Sequence, residues 1–245
     1  MVFFFLIAPL FIVIPISFSP LQFLKFPPPG LSLQWYHTYF GGRDWREATW
    51  VSIQVASMTA LFATVLGTML SIALVRGNFR GKNLIYALAI SPMIVPIIIT
   101  AIAVYFFYAK LRLVGSIPSL IAAHTILAIP FVLILVTSSL KGFDETLERA
   151  ALSLGANPLK AFLLVTLPII KPGVISGALF AFITSFDELI VVLFIAGTHA
   201  VTLPKRMWDS LWVEIEPTIA AISTILIAIS FLLLLAAELL RKKEI

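Results

Sequence analysis

Charged residues leave long gaps in this chain, and the gaps decide what it can fold into. No Asp, Glu, Lys or Arg occurs in Met1–Leu24, Ala48–Val75, Asn83–Ala109, Leu113–Leu140 or Pro217–Ala237. A sixth apolar run, Pro172–Pro204, is interrupted only by Asp187 and Glu188. A helix needs roughly 20 apolar residues to cross about 30 Å of hydrocarbon, and each run is long enough. Six transmembrane helices are therefore expected, at about 2–19, 50–75, 84–108, 118–139, 173–196 and 218–238. Barrel strands alternate over short stretches and do not fit such runs. Composition points the same way, with 60% hydrophobic and 12% charged residues in 245, where soluble domains carry about 25% charged. A soluble core of this length cannot enclose that much apolar surface. Soluble enzymes, fibrous proteins and disordered chains are excluded. The expected fold class is all-α, a polytopic membrane helical bundle.

The first run lacks a positive n-region and a small-residue cleavage pattern, so a retained helix is expected rather than a signal peptide. The bare start at Met1, without a charged cytosolic tail, leaves room for a native start upstream. With six spans both termini share one side. If that side is cytosolic, ten of the 17 Lys and Arg residues lie inside, among them the Arg241-Lys242-Lys243 cluster. That is a weak positive-inside bias. The net charge of +5 then reads as topology rather than nucleic-acid binding, since no basic patch with interleaved aromatics accompanies it. Cysteine is absent, which removes disulfides, thiolate metal sites and cysteine nucleophiles.

Between the spans, Ser19–Trp50 is long for a loop. Pro27-Pro28-Pro29-Gly30 forces an extended turn. Trp35, Tyr36, Tyr39, Trp45 and Trp50 suit an aromatic belt at the headgroups, with binding of a periplasmic partner as the alternative. Arg76–Asn83 misses the phosphate-loop spacing and follows no strand, so it is read as a turn. Pro92 and Pro96, four apart in the third run, predict a kink that either lines a pathway or aids packing. Within Ser138–Pro172, Phe143, Leu147, Ala150, Ala151 and Leu154 share one helical face. Asp144 is placed to cap that helix, with Glu145 and Glu148 near its positive end. Gly155 stops it, and Asn157-Pro158 starts a second short helix. Pro168 and Pro172 mark the approach to the fifth span. The result is a helix–turn–helix beside the membrane, a docking knob without catalytic groups.

Glu148-Arg-Ala-Ala-Leu-Ser-Leu-Gly-Ala-Asn-Pro158, followed by Val165-Thr-Leu-Pro168, resembles the cytosolic loop motif of ABC importer permeases: Glu-Ala-Ala, three residues, Gly, nine residues, Ile-x-Leu-Pro. Ala150 and Ala151 take the alanine positions, Gly155 the glycine, Val165 the isoleucine, and Leu167 and Pro168 close it. Arg149 stands where the family has its glutamate, and Glu148 is one residue early, which reverses the charge at that contact. Phe26–Tyr36, Ser91–Pro96 and Ser185–Leu189 look like the subgroup that takes up spermidine and putrescine. The resemblance implies a type I importer permease fold, one transmembrane permease domain over residues 1–245, with a coupling loop at about 141–171. It further implies a bacterial inner-membrane location, a second permease subunit, identical or different, two ATP-binding cassette subunits and a periplasmic substrate-binding protein. ATP and Mg would sit on the ATPase, and no cofactor on this chain. Many polyamine permeases carry an acid after the second proline of the kink, whereas here that residue is Ile97.

Asp187 and Glu188 fall near the middle of the fifth expected span, about 100° apart on a helix. Ionisable groups there are expensive, so they face a cavity or a partner. They are candidates for a cationic substrate pathway together with Pro92 and Pro96, or for a structural hydrogen bond or gate. His124 and His199 have no partner at metal spacing and read as packing or interfacial residues. The competing functions are an importer for another small organic solute and an ion-coupled secondary transporter, in which Asp187 and Glu188 would bind the ion. No nucleophile–base pair supports a hydrolase.

Overall fold

The computed structural model describes residues 2–198, 200–213 and 216–241. His199, Lys242 and Lys243 lie outside the described residues. Helices follow one another along the described chain: α1 (Val2–Ile16), α2 (Gln34–Gly41), α3 (Arg43–Arg76), α4 (Lys82–Ile94), α5 (Ile97–Leu111), α6 (Ile117–Lys141), α7 (Glu145–Ser153), α8 (Pro158–Ala161), a π-turn (Phe162–Thr166), α9 (Leu167–Phe186), α10 (Ile190–Ile195), α11 (Leu203–Val213) and α12 (Thr218–Arg241). No strand occurs among the described residues. The all-α membrane-helical class holds. Among the described residues, three helical segments are long and apolar enough to cross a membrane, Arg43–Arg76, Ile117–Lys141 and Pro158–Phe186, and a fourth span results if the bent pair α4–α5 counts as one.

Two compact units make up the chain, Met1–Thr49 with Arg206–Ile245, and Trp50–Lys205. In the first, α12 packs against α1 and α2. The aromatic residues here depart from the headgroup belt expected for them, because Trp35, Tyr39 and Trp45 are buried. Each finds a partner for its polar edge or its ring. Trp35 Nε1 donates to Ser19 O at 2.8 Å, the Tyr39 hydroxyl meets Thr49 Oγ1 at 2.9 Å, and the Arg206 guanidinium lies 5.3 Å from the Trp45 ring. Apolar rings with a polar handle serve an interior as well as an interface. Trp50, in the second unit, remains exposed as expected.

The second unit is organised around α6, which packs most extensively on α9. Backbones approach closely because α9 carries Gly173 and Gly177, a G-x-x-x-G spacing. A Cβ on Gly177 would sit 3.1 Å from Val132 Cα, and one on Gly173 would sit 3.0 Å from Leu135 O. Gly67 of α3 faces the same Val132, where a Cβ would fall 2.8 Å from its side chain. Val132, Val136, Leu140 and Ile170 form the adjoining core.

Two expected elements differ. The Pro92–Pro96 kink is a corner: α4 and α5 meet at 106°. Val95 precedes a proline, which drives it out of the helical region to ψ 132°, and Pro96 follows at ψ 129°. The fifth span, expected as one helix over 173–196, instead starts earlier and ends at Phe186, and the chain resumes as α10 after Asp187–Leu189. Pro168 lies at the start of α9, just after the π-turn, and Pro172 lies within that helix.

Gly177→Leu should therefore lower the melting temperature of the purified chain in detergent, by an overpacking cost of about 1–3 kcal/mol. Gly142→Ala, where the nearest atom is 3.7 Å from the new Cβ, should leave it unchanged.

Candidate functional site

The segment after α6 builds a hairpin from local signals. Asp144 accepts the Thr146 N–H at 2.9 Å and so caps α7, and that bond lowers its carboxyl below the usual range. At the other end the Gly155 N–H reaches Leu152 O at 3.0 Å, and the Ala156 N–H reaches Ala151 O at 3.1 Å. These are the paired bonds of a helix stop with a left-handed residue, and Gly155 supplies it at φ +91°. Asn157 Oδ1 then accepts the Lys160 N–H at 2.8 Å and opens α8 at Pro158. α8 runs through the π-turn into α9 without a break.

The expected coupling residues divide by environment. α7 buries none of its nine described residues. Arg149 projects into solvent, its side chain 75% exposed, beside Glu145 at 3.3 Å. Ala150 is exposed and Ala151 half-buried. Leu147 and Leu154, expected on an apolar face with Phe143, are exposed, Leu154 at 89%, whereas Phe143 is buried. Val165 and Leu167 pack on the core around α6, and Pro168 is exposed. Glu148 turns inward. Its two oxygens accept from Arg76 Nη1 at 2.9 Å and Nη2 at 2.6 Å, and the Thr166 hydroxyl donates to it as well. Burial pushes the Glu148 carboxyl up, but the hydrogen bonds from Thr166 and Arg76 and the Arg76 charge outweigh it and hold it below the usual carboxylate range. The pair thus stabilises the fold above the ordinary carboxylate pKa and is lost only as pH falls through the lowered one. Arg76 and Thr166 were not singled out from sequence, where Arg76 read only as a topology charge.

The expected pathway residues converge in part. Pro92, Pro96 and Glu188 line one cleft of about 400 Å³, joined by Met93, Phe131 and Thr184. Asp187 is not among its walls; it is exposed and caps the C-terminus of α9. Glu188 is 8% exposed, and its Oε1 accepts the Val191 N–H at 2.8 Å. In an unbroken helix that N–H would bond to the carbonyl of Asp187, so the carboxylate replaces the acceptor that the break removes. Nearby, His124 is buried and its Nδ1 lies 2.8 Å from Ser185 Oγ, a packing position with one hydrogen bond.

Helices that cross a membrane, a broken pair lining a cleft and an amphipathic hairpin together define an integral membrane protein built for translocation. Residues 63–243 match the family described as binding-protein-dependent transport system inner membrane component, and the chain belongs to that family. It is 32% identical over 230 residues to the putrescine transport system permease protein PotI of Escherichia coli K12, covering 91% of this chain and 82% of that one. It is 30% identical over 240 residues to the spermidine/putrescine transport system permease protein PotC of the same organism, covering 98% and 90%. Among solved structures, a bacterial ABC transporter involved in import of the acidic polysaccharide alginate shares the fold at a TM-score of 0.70 and 13% identity, over 98% of this chain and 91% of that one.

A Cβ on Gly155 would meet nothing within 4 Å, so substitution there costs backbone energy alone, on the order of 1–2 kcal/mol in the left-handed region. Gly155→Val should abolish uptake while membrane insertion, followed by immunoblot of the membrane fraction, is retained. Gly155→Asn, a residue that tolerates this region, should keep partial uptake.

Proposed function

We propose that this chain is the permease subunit of an ATP-driven ABC importer and translocates a polyamine, putrescine or spermidine, delivered by a periplasmic binding protein. Residues 1–245 act as one permease domain, multi-pass in the bacterial inner membrane, with both termini cytosolic. A second permease subunit completes the pathway, and two separate ATPase chains hold ATP and Mg. This chain hydrolyses nothing and binds no cofactor. The observation that carries the reading is the α7–Gly155–α8 hairpin, whose leucines 147, 154 and 159 are exposed from a turn fixed by caps at both ends. Apolar groups presented this way on a polar surface mark a docking site. Glu148, Arg149, Ala150, Ala151 and Gly155 form or support its contact with the ATPase, and Val165, Leu167 and Pro168 root it. Closure of the ATPases on ATP moves the docked hairpins, and the spans alternate between outward and inward access.

The substrate assignment draws on the names of the two relatives and on the Glu188 carboxylate in the cleft, which suits an alkylammonium group passing Pro92 and Pro96. Ile97, also in the cleft wall, favours the second reading, a different small organic solute.

The chain contains no cysteine, so Ser153→Cys gives a single label site on the exposed hairpin. Maleimide should modify it in the isolated chain and fail to do so once the ATPase is bound. Equal labelling in both states would refute docking there. In proteoliposomes with the binding protein and ATPase, putrescine or spermidine uptake should require ATP. Glu188→Gln keeps an acceptor for Val191 and removes the charge. It should cut that uptake about tenfold or more, the worth of a charged hydrogen bond. Uptake driven by an ion gradient without the ATPase would reverse the assignment, and undiminished uptake by Glu188→Gln would remove the cation pathway.

A further inference from the structure

Arg76 is the last residue of α3, and its guanidinium is gripped from three directions. Two parallel N–H···O bonds run to Glu148, Nη2 lies 3.4 Å from Thr166 Oγ1, and the Phe143 ring sits 5.9 Å away. The side chains are only 24% and 16% exposed at Arg76 and Glu148, so the pair is screened far less than the solvent-facing Arg149–Glu145 pair. Thr166 is fully buried and belongs to the π-turn, a feature that often marks functional positions in helices.

The connectivity gives this cluster its meaning. α7 has no buried side chain, and its most extensive backbone contacts are with α8 and the π-turn, parts of the same hairpin and its root. The hairpin thus leads along the chain into the Pro158–Phe186 segment, but α7 buries no apolar side chain that would tie it to α3. The fork between Arg76 and Glu148 does so, joining residues 72 apart in sequence, and a planar bidentate pair resists sliding and twisting in a way that a single contact does not.

We infer that Arg76, Glu148 and Thr166 form a clasp that carries displacement of the docking hairpin into α3, which makes them positioning residues for the coupling of ATP hydrolysis to uptake. The inference rests on the docking role of the hairpin proposed above. On it, Glu148 serves inside the chain, while Arg149 faces outward.

The test measures ATP hydrolysed per solute imported by assembled complexes in proteoliposomes, a ratio that a merely structural role would leave unchanged because it alters only how much complex forms. Glu148→Gln and Arg76→Lys, which keeps the charge but lacks the fork, should each raise the ratio roughly fivefold or more, the lower end of typical coupling between sites. Thr166→Val, which leaves the ion pair in place, should raise it less. The wild-type ratio in every variant, or failure of all three to assemble, overturns the clasp. Maleimide protection of Ser153→Cys, measured on the same complexes, separates the two ideas. Protection with an unchanged ratio rejects the clasp alone, and loss of protection in the otherwise wild-type complex rejects the docking reading beneath it.

Discussion

Backbone amides in hydrocarbon have no water to bond to, and the architecture of residues 50–205 follows from that constraint. Regular helix satisfies it without help. Every departure from regular helix needs a local substitute, and the substitutes occupy the positions of interest. At the corner between α4 and α5, the missing donor of Pro96 falls where the chain turns beside a cleft. At the break after α9, the Glu188 carboxylate takes the Val191 N–H. Below α10, the Gly115 N–H closes on Ile195 O at 2.8 Å. A cavity wall in a membrane protein is thus built where backbone bonds are rerouted, and the carboxylate that reroutes one of them also faces the cavity.

Packing obeys a related rule. Apolar side chains gain little by leaving lipid for another helix, so association depends on close fit. Glycines at 67, 173 and 177 bring two helices, α3 and α9, onto the stretch of α6 around Val132 and Ser139. With that pivot region fixed, the hairpin extends from a firmly packed base: Phe143, Ala161 and Thr166 are buried, while the intervening helix stands clear.

What the sequence made legible was local. The charge-free runs located α6, the α4–α5 pair and the end of α3 within a few residues of their observed limits, while α3 begins seven residues before its expected start, in the charged stretch from Arg43 to Glu47. Asp144, Gly155 and Asn157-Pro158 announced the hairpin, because caps and turns act over three or four residues. The fifth span was misplaced because hydropathy continues past Phe186 and does not register a helix break. The aromatic belt failed for Trp35, Tyr39 and Trp45, since a ring with one polar edge suits an interior and an interface alike. In the candidate site, Pro92, Pro96 and Glu188 were found by their cost in a membrane, but Arg76 and Thr166 were not. Their contact with Glu148 exists only once the fold joins the end of α3 to the hairpin. The G-x-x-x-G spacing at Gly173 and Gly177 is visible in the sequence, but which helix it meets is set only by the fold.

The π-turn at Phe162–Thr166 has a consequence for helical phase. One residue more than a regular turn rotates everything after it by about 100° relative to α8. The hairpin and the membrane segment are one continuous rod, yet they point their working faces in independently set directions. Leu163 and Leu164 look outward, Thr166 looks toward Arg76, and the glycine edge of α9 is aimed at α6. The rod is thereby indexed like a keyed shaft: the same residues wound as regular α-helix through 162–166 would turn Gly173 and Gly177 by about 100°, away from the surface they meet.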